Sequence, residues 1–218
     1  MTQAAKSFPP PIGLETIGLQ VLVGYGLIEA SVWTPVGLLN AVCIALAALW
    51  ILRAVNDGRF TKPQMGIAPP PAAGSAWILL GGFVLAACLP LLAVAWRSNS
   101  APTHVLPFGQ ALLYVVWALM QQFILQSFFY VRLESLLGSR RAVAAAALLF
   151  ALAHIPSPVL TAASFAGGLF FCEMFRRYRN IFPLGLAHAL LGLTLTASFS
   201  DALLHHMRVG IGYIRFHP

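Results

Sequence analysis

Apolar residues along this chain come in long, nearly unbroken runs divided by short clusters of charge, proline or glycine, rather than in the alternation of a half-buried strand. A helix needs roughly 20 mostly apolar residues to cross a bilayer. Seven runs approach that length, at 12–33, 36–51, 76–96, 105–131, 142–154, 160–175 and 182–199. Thr34-Pro35 turns the first run into the second. Arg53, Asp57, Arg59, Lys62 and then Pro69, Pro70 and Pro71 separate the second from the third, which predicts an irregular connection because proline cannot continue a helix. The fifth run is short for a full crossing and is ended by Pro156 and Pro158, so it is expected to cross tilted or shielded by protein. In the sixth, the Gly167-Gly168 pair suits close helix approach. The pattern predicts an all-α polytopic transmembrane bundle of about seven helices, forming a single membrane-embedded domain over residues 1–218.

Composition agrees with lipid as the main solvent. Hydrophobic residues make up 59% of the chain and charged residues 9%, against about a quarter charged in a soluble domain. The net charge of +7 does not point to nucleic acid, because the basic residues sit between apolar runs instead of lining a soluble face with aromatics between them. Cys43, Cys88 and Cys172 each fall inside an apolar run without metal-ligand spacing and read as packing residues. A cleaved signal peptide is not expected, since the first eleven residues are polar and then proline-rich at Pro9, Pro10 and Pro11. With the N-terminus inside, the cytoplasmic segments hold Lys6, Arg53, Arg59, Lys62, Arg132, Arg140, Arg141, Arg176, Arg177 and Arg179. Arg97, Arg208 and Arg215 are left outside, which fixes the orientation by the positive-inside rule.

Polar side chains inside apolar runs are the candidates for function, because lipid makes them expensive. Glu29, near the end of the first run, is expected to reach the interface. Glu173 is expected to pair with a basic residue three or four positions on, in Arg176-Arg177-Tyr178-Arg179. Glu134 follows Arg132 and is expected to be solvated at the interface. The fourth run carries Gln121, Gln122 and Gln126, of which Gln122 and Gln126 lie one turn apart on one face. The bland reading is amides bonding neighbouring helices. With His154 closing the fifth run and His188 inside the seventh, a shared polar pocket becomes the better reading.

The order of these residues resembles the CPBP family of intramembrane endopeptidases, the CAAX-protease-like or Abi group, whose pattern is EExxxR, then FxxxH, then HxxxN. The resemblance covers about residues 111–192 and is most specific in Phe150-Ala-Leu-Ala-His154 and Phe182-Pro-Leu-Gly-Leu-Ala-His188. It implies residence in a bacterial inner (cytoplasmic) membrane. It also implies a site in which the first glutamate and a histidine activate water while the second histidine and the asparagine support the developing oxyanion. Here Gln121-Gln122 stand for the two glutamates, Gln126 for the arginine and Gly192 for the asparagine, and the two histidines remain. An amide cannot take a proton from water as a carboxylate does. Loss of one oxyanion donor commonly costs roughly 100- to 1,000-fold in rate. Replacing both charge signs by amides also removes the penalty of an unpaired buried ion.

The expected function is therefore a divergent family member, with impaired or absent proteolysis, that binds or scaffolds a membrane protein or lipidic ligand through its intramembrane pocket. The alternative is an endopeptidase acting on a prenylated or membrane-proximal peptide, with His154 and His188 at work and Gln121 and Gln122 positioning water. A weaker third arrangement is a metal site built from His154, His188, Asp201, His205 and His206, of which Asp201 and His205 would share a helical face. The preferred reading assigns no metal and no cofactor. The expected partners are the lipid bilayer and the peptide or membrane protein in the pocket, not nucleic acid.

Overall fold

The computed structural model describes residues 13–69, 72–95 and 106–215. Ile12, Trp96 and Val105, which bound predicted helices, lie outside the described residues, as do Lys6, Arg97, the Pro9 to Pro11 run, Pro70 and Pro71. The first helices are α1 (Leu14–Trp33), α2 (Leu38–Val55), α3 (Ala72–Ala95) and α4 (Phe108–Gln122). Helix α4 continues through a π-helical stretch, Phe123–Tyr130, into α5 (Val131–Leu137). Then come α6 (Ser139–Leu152), α7 (Pro158–Tyr178), α8 (Ile181–Ser198), α9 (Asp201–Leu204), a 3-10 turn His205–Met207 and α10 (Gly210–Ile214). Among the described residues there is no strand. Among the described residues six helices are long and apolar enough to cross a membrane, the fourth running unbroken as Phe108–Leu137, so this is an all-helical membrane bundle. Helix α6, with 14 residues, is not among the six.

The six long helices explain the composition. Large apolar side chains face outward on α1 to α4, with Leu22, Phe83 and Leu113 exposed to 72%, 63% and 70%. In water such a surface would be a liability, whereas in lipid it carries no cost. Inside, an aromatic core of Phe128, Phe129, Tyr130, Phe171 and Phe175 joins the π stretch to α7. Small residues set the closest approaches. A Cβ on Gly168 would stand 3.0 Å from the Ala147 backbone, where α6 meets α7, and one on Gly82 would stand 2.6 Å from Ala187, where α3 meets α8. Of the Gly167-Gly168 pair, Gly168 therefore makes the interhelical contact.

Three sequence expectations need correction. Arg132 is not an interfacial loop cation but is fully buried. Its guanidinium donates to Gln20 Oε1 (2.8 Å), Phe128 O (3.0 Å) and Ala54 O (2.6 Å) and lies 4.4 Å from the Phe128 ring centroid. The Gln20 amide passes the interaction on, donating to Asp57 at 3.0 Å, so a buried cation is satisfied by neutral acceptors and linked to a carboxylate at one remove. Glu134 is not merely solvated, because Arg179 clasps both its oxygens at 2.6 Å, tying the α5 end to the α7–α8 turn. The fifth helix begins earlier and ends sooner than 142–154, leaving His154 in the turn beyond Leu152. Glu173 pairs with Arg176 (2.8 Å) and Arg177 (2.6 Å), as its spacing predicts.

Candidate functional site

Neighbouring helical residues point about 100° apart, so Gln121 and Gln122 cannot serve the same side of α4. Gln121 faces a cavity, whereas Gln122 is fully buried and faces the core. The π stretch begins at the next residue and contains Gln126. Such stretches recur at functional sites because the wider turn re-aims side chains. Here Gln126 Nε2 donates to Gln122 Oε1 at 3.1 Å and to Cys172 Sγ at 3.6 Å. Gln122 Nε2 in turn lies 3.2 Å from His188 Nδ1. The amides thus form a chain that runs from α7 through the long fourth helix to α8.

The direction of that chain sets the state of His188. With its Oε1 occupied by Gln126, Gln122 has only its Nε2 to offer, so His188 Nδ1 accepts and the proton sits on Nε2. Reversing both amides would put N–H groups where Gln126 Oε1 now lies buried and without a partner among the described residues. Orphaned buried N–H groups are rarer than under-satisfied carbonyl oxygens, which favours the direction described. His154 is fixed in the opposite sense. Its Nδ1 lies 2.7 Å from the Phe150 carbonyl, which can only accept, so Nδ1 carries the proton and Nε2 keeps its lone pair. The Phe150 ring stands beside both imidazoles, with centroids 4.9 Å from His154 and 5.7 Å from His188. The two histidines therefore offer complementary groups, an acceptor on His154 and a donor on His188.

Gln121, Phe150, His154, His188 and Gly192 line one cavity of about 520 Å³. Gln122 and Gln126 lie behind it and act on it through His188. Most of the wall is apolar, from Leu85, Leu89 and Leu92 of α3, Trp117 of α4, Val159 and Ala163 of α7, and Leu191 and Leu195 of α8. Among the described residues no Asp or Glu lines it. Along α7 and α8 the cavity takes 159–171 and 188–195, the halves remote from the Arg176–Arg179 turn. A shallower depression between Leu152, Ile155 and Phe165 has Thr161 as its polar side chain.

Of two further wall residues, Tyr114 escaped the sequence reading and Cys88 was read there as packing, which the structure corrects. Cys88 lines the cavity and is exposed, whereas Cys172 is buried packing. Tyr114 also lines it, and its hydroxyl occupies the space where a side chain on Gly192 would begin. The available signal was spacing, since Tyr114 lies two turns before Gln121 on the same face of α4. Glu29 accepts from Trp33 Nε1 at 3.0 Å and lies near enough to Tyr25 and His154 to interact with both.

The arrangement of His154, His188, Asp201, His205 and His206 as metal ligands is not assembled. The chain kinks at His205 and His206, which take positive φ of 49° and 51°, so Asp201 and His205 do not share a helical face. Asp201 meets His206 Nδ1 at 3.1 Å, while His205 stacks on Tyr213 with centroids 4.4 Å apart. Among the described residues no group of three or more His, Cys, Asp or Glu is placed to hold a metal ion.

Residues 104–194 match the family described as Type II CAAX prenyl endopeptidase Rce1-like. This segment holds every motif residue of the cavity, so the part of the chain that builds the site is similar to that CAAX-protease-like family. No curated protein and no solved structure matches it.

Proposed function

We propose that this chain is a CAAX-protease-like protein of a bacterial cytoplasmic membrane that holds a prenylated or membrane-proximal peptide, or a segment of another membrane protein, in its cavity without efficient cleavage. The observation that carries this reading is the amide chain from Gln126 through Gln122 to His188, in a cavity lined by no carboxylate among the described residues. Two positions where the family has charge are spent on holding a neutral histidine in one tautomer. The apolar wall suits a lipid chain, and the polar groups at Gln121, His154 and His188 suit the peptide end attached to it. Full retention of a prenylated peptide by the purified chain, without cleavage, tests the reading. Failure to retain any such peptide would remove it.

One observation favours a second reading. His154 Nε2 keeps its lone pair in the cavity and is the group able to take a proton from water there, with His188 Nε2–H as a donor to the oxygen that develops charge. On this reading the chain hydrolyses the peptide slowly, with a histidine in place of the carboxylate. Cleavage that depends on His154 and survives chelator separates it from the first.

A further inference from the structure

The position of Gly192 gives the cavity a second donor. Gly192 lies one turn after His188 on the same face of α8, and both line the cavity. A Cβ built on Gly192 would collide with the Tyr114 hydroxyl and come within 2.6 Å of the ring carbon that bears it. The side chain missing from α8 is thus replaced in space by a hydroxyl reaching across from α4, and the two residues are fitted to each other: the tyrosine can stand there because residue 192 is a glycine.

We propose that the Tyr114 hydroxyl and His188 Nε2–H form a two-donor site that receives the carbonyl oxygen of a lipid-linked ligand. This rests on the reading of the cavity as a prenyl-peptide site. Both groups donate. His188 does so because Gln122 occupies its Nδ1, and a phenol does so to any nearby acceptor. Their surroundings are apolar, where a hydrogen bond to a carbonyl discriminates strongly between ligands that have the oxygen and ligands that lack it. Tyr114 is therefore a ligand-contacting and specificity-determining residue, not wall packing, and the ligand class is an apolar chain ending in an ester, amide or peptide carbonyl.

The test measures binding to the full chain in detergent, with S-farnesylcysteine methyl ester as probe and S-farnesylcysteamine as its carbonyl-free counterpart. The native chain should prefer the ester by roughly ten- to hundredfold, the worth of two ordinary hydrogen bonds. Tyr114→Phe should lower that preference several-fold, to the part that His188 supplies, by weakening the ester rather than its counterpart. The paired change Tyr114→Ala with Gly192→Asn, which puts an amide into the vacated space, should restore it and guards against a fold defect in the single variant. An undiminished ester preference in Tyr114→Phe would overturn the proposal. If the native chain holds neither farnesyl probe, the prenyl-peptide reading fails instead. The comparison is then repeated with dodecanoylglycine methyl ester against its dodecylamine analogue, where absence of a carbonyl preference in the native chain overturns the donor pair as well.

Discussion

Gln122 Nε2 lies 3.2 Å from His188 Nδ1 and joins the long fourth helix to α8 across the core. The contact is structural and chemical at once, because it holds two membrane helices together and decides which nitrogen of His188 faces the cavity.

Replacing Gln122 by leucine should therefore affect both. The Gln126 amide loses an acceptor and His188 Nδ1 is left without a donor, each a buried polar group of the kind whose orphaning costs about 1–3 kcal/mol. The expected result is a fall in unfolding free energy of that order in detergent. A change within about 0.5 kcal/mol of native, the range of neutral surface substitutions, would show that the amide chain bears no load.

Gln122 and Gln126 are 3.1 Å apart and both fully buried, so restoring charge to one alone strands an ion in the core. Gln122→Glu combined with Gln126→Arg should be more stable than either single change, because each charge offsets the other. The same holds for the triple change that adds Gln121→Glu, compared with the two Glu changes without Arg. Thermal unfolding of the set in detergent checks the order. Additive destabilisation would show that the two positions do not interact.

Arg132 predicts a larger effect away from the cavity. Its removal leaves Gln20 Oε1, Ala54 O and Phe128 O without their donor, so Arg132→Met should cost about 2–4 kcal/mol. Arg132→Lys should recover little of this, because an ammonium cannot reach three acceptors as a planar fork does. Denaturant titration of the three chains measures both effects, and full rescue by lysine would contradict the bonding described.

How much of this was legible in the sequence differs by level. The long apolar runs located most helix ends within four residues, because a bilayer sets helix length almost independently of tertiary packing, but the fourth helix runs on to Leu137, six residues past its expected end. The i, i+4 spacing of Gln122 and Gln126 anticipated their contact. Arg132 was misjudged because a cation just past an apolar run looks interfacial, and nothing local shows that Gln20 and Ala54, far off in sequence, supply acceptors. The π stretch was invisible for a related reason: Phe123–Tyr130 is as apolar as an α-helix would be, and the wider turn is decided by what packs around it. Tyr114 was missed because a tyrosine near a helix start is ordinary, and its meaning appears only once Gly192 lies against it.

Cys88 supplies a test of sidedness. It lines the half of the bundle remote from Arg176 to Arg179, which the positive-inside rule assigns to the cytoplasm. A membrane-impermeant maleimide added from the extracytoplasmic side should label Cys88, and bound prenylated peptide should slow the reaction. Cys172, fully buried, should stay unlabelled until the chain unfolds. Labelling of Cys88 from the cytoplasmic side alone would reverse the orientation.

The most direct measurement incubates the purified chain in detergent with a prenylated peptide, with and without chelator, and follows both retention and cleavage for the native chain and His154→Ala. The account predicts that the native chain retains the peptide intact and that His154→Ala remains folded, as an amide-held cavity with no carboxylate among its described lining residues requires. Chelator-resistant cleavage by the native chain that disappears in His154→Ala would contradict it and establish the histidine-based hydrolase.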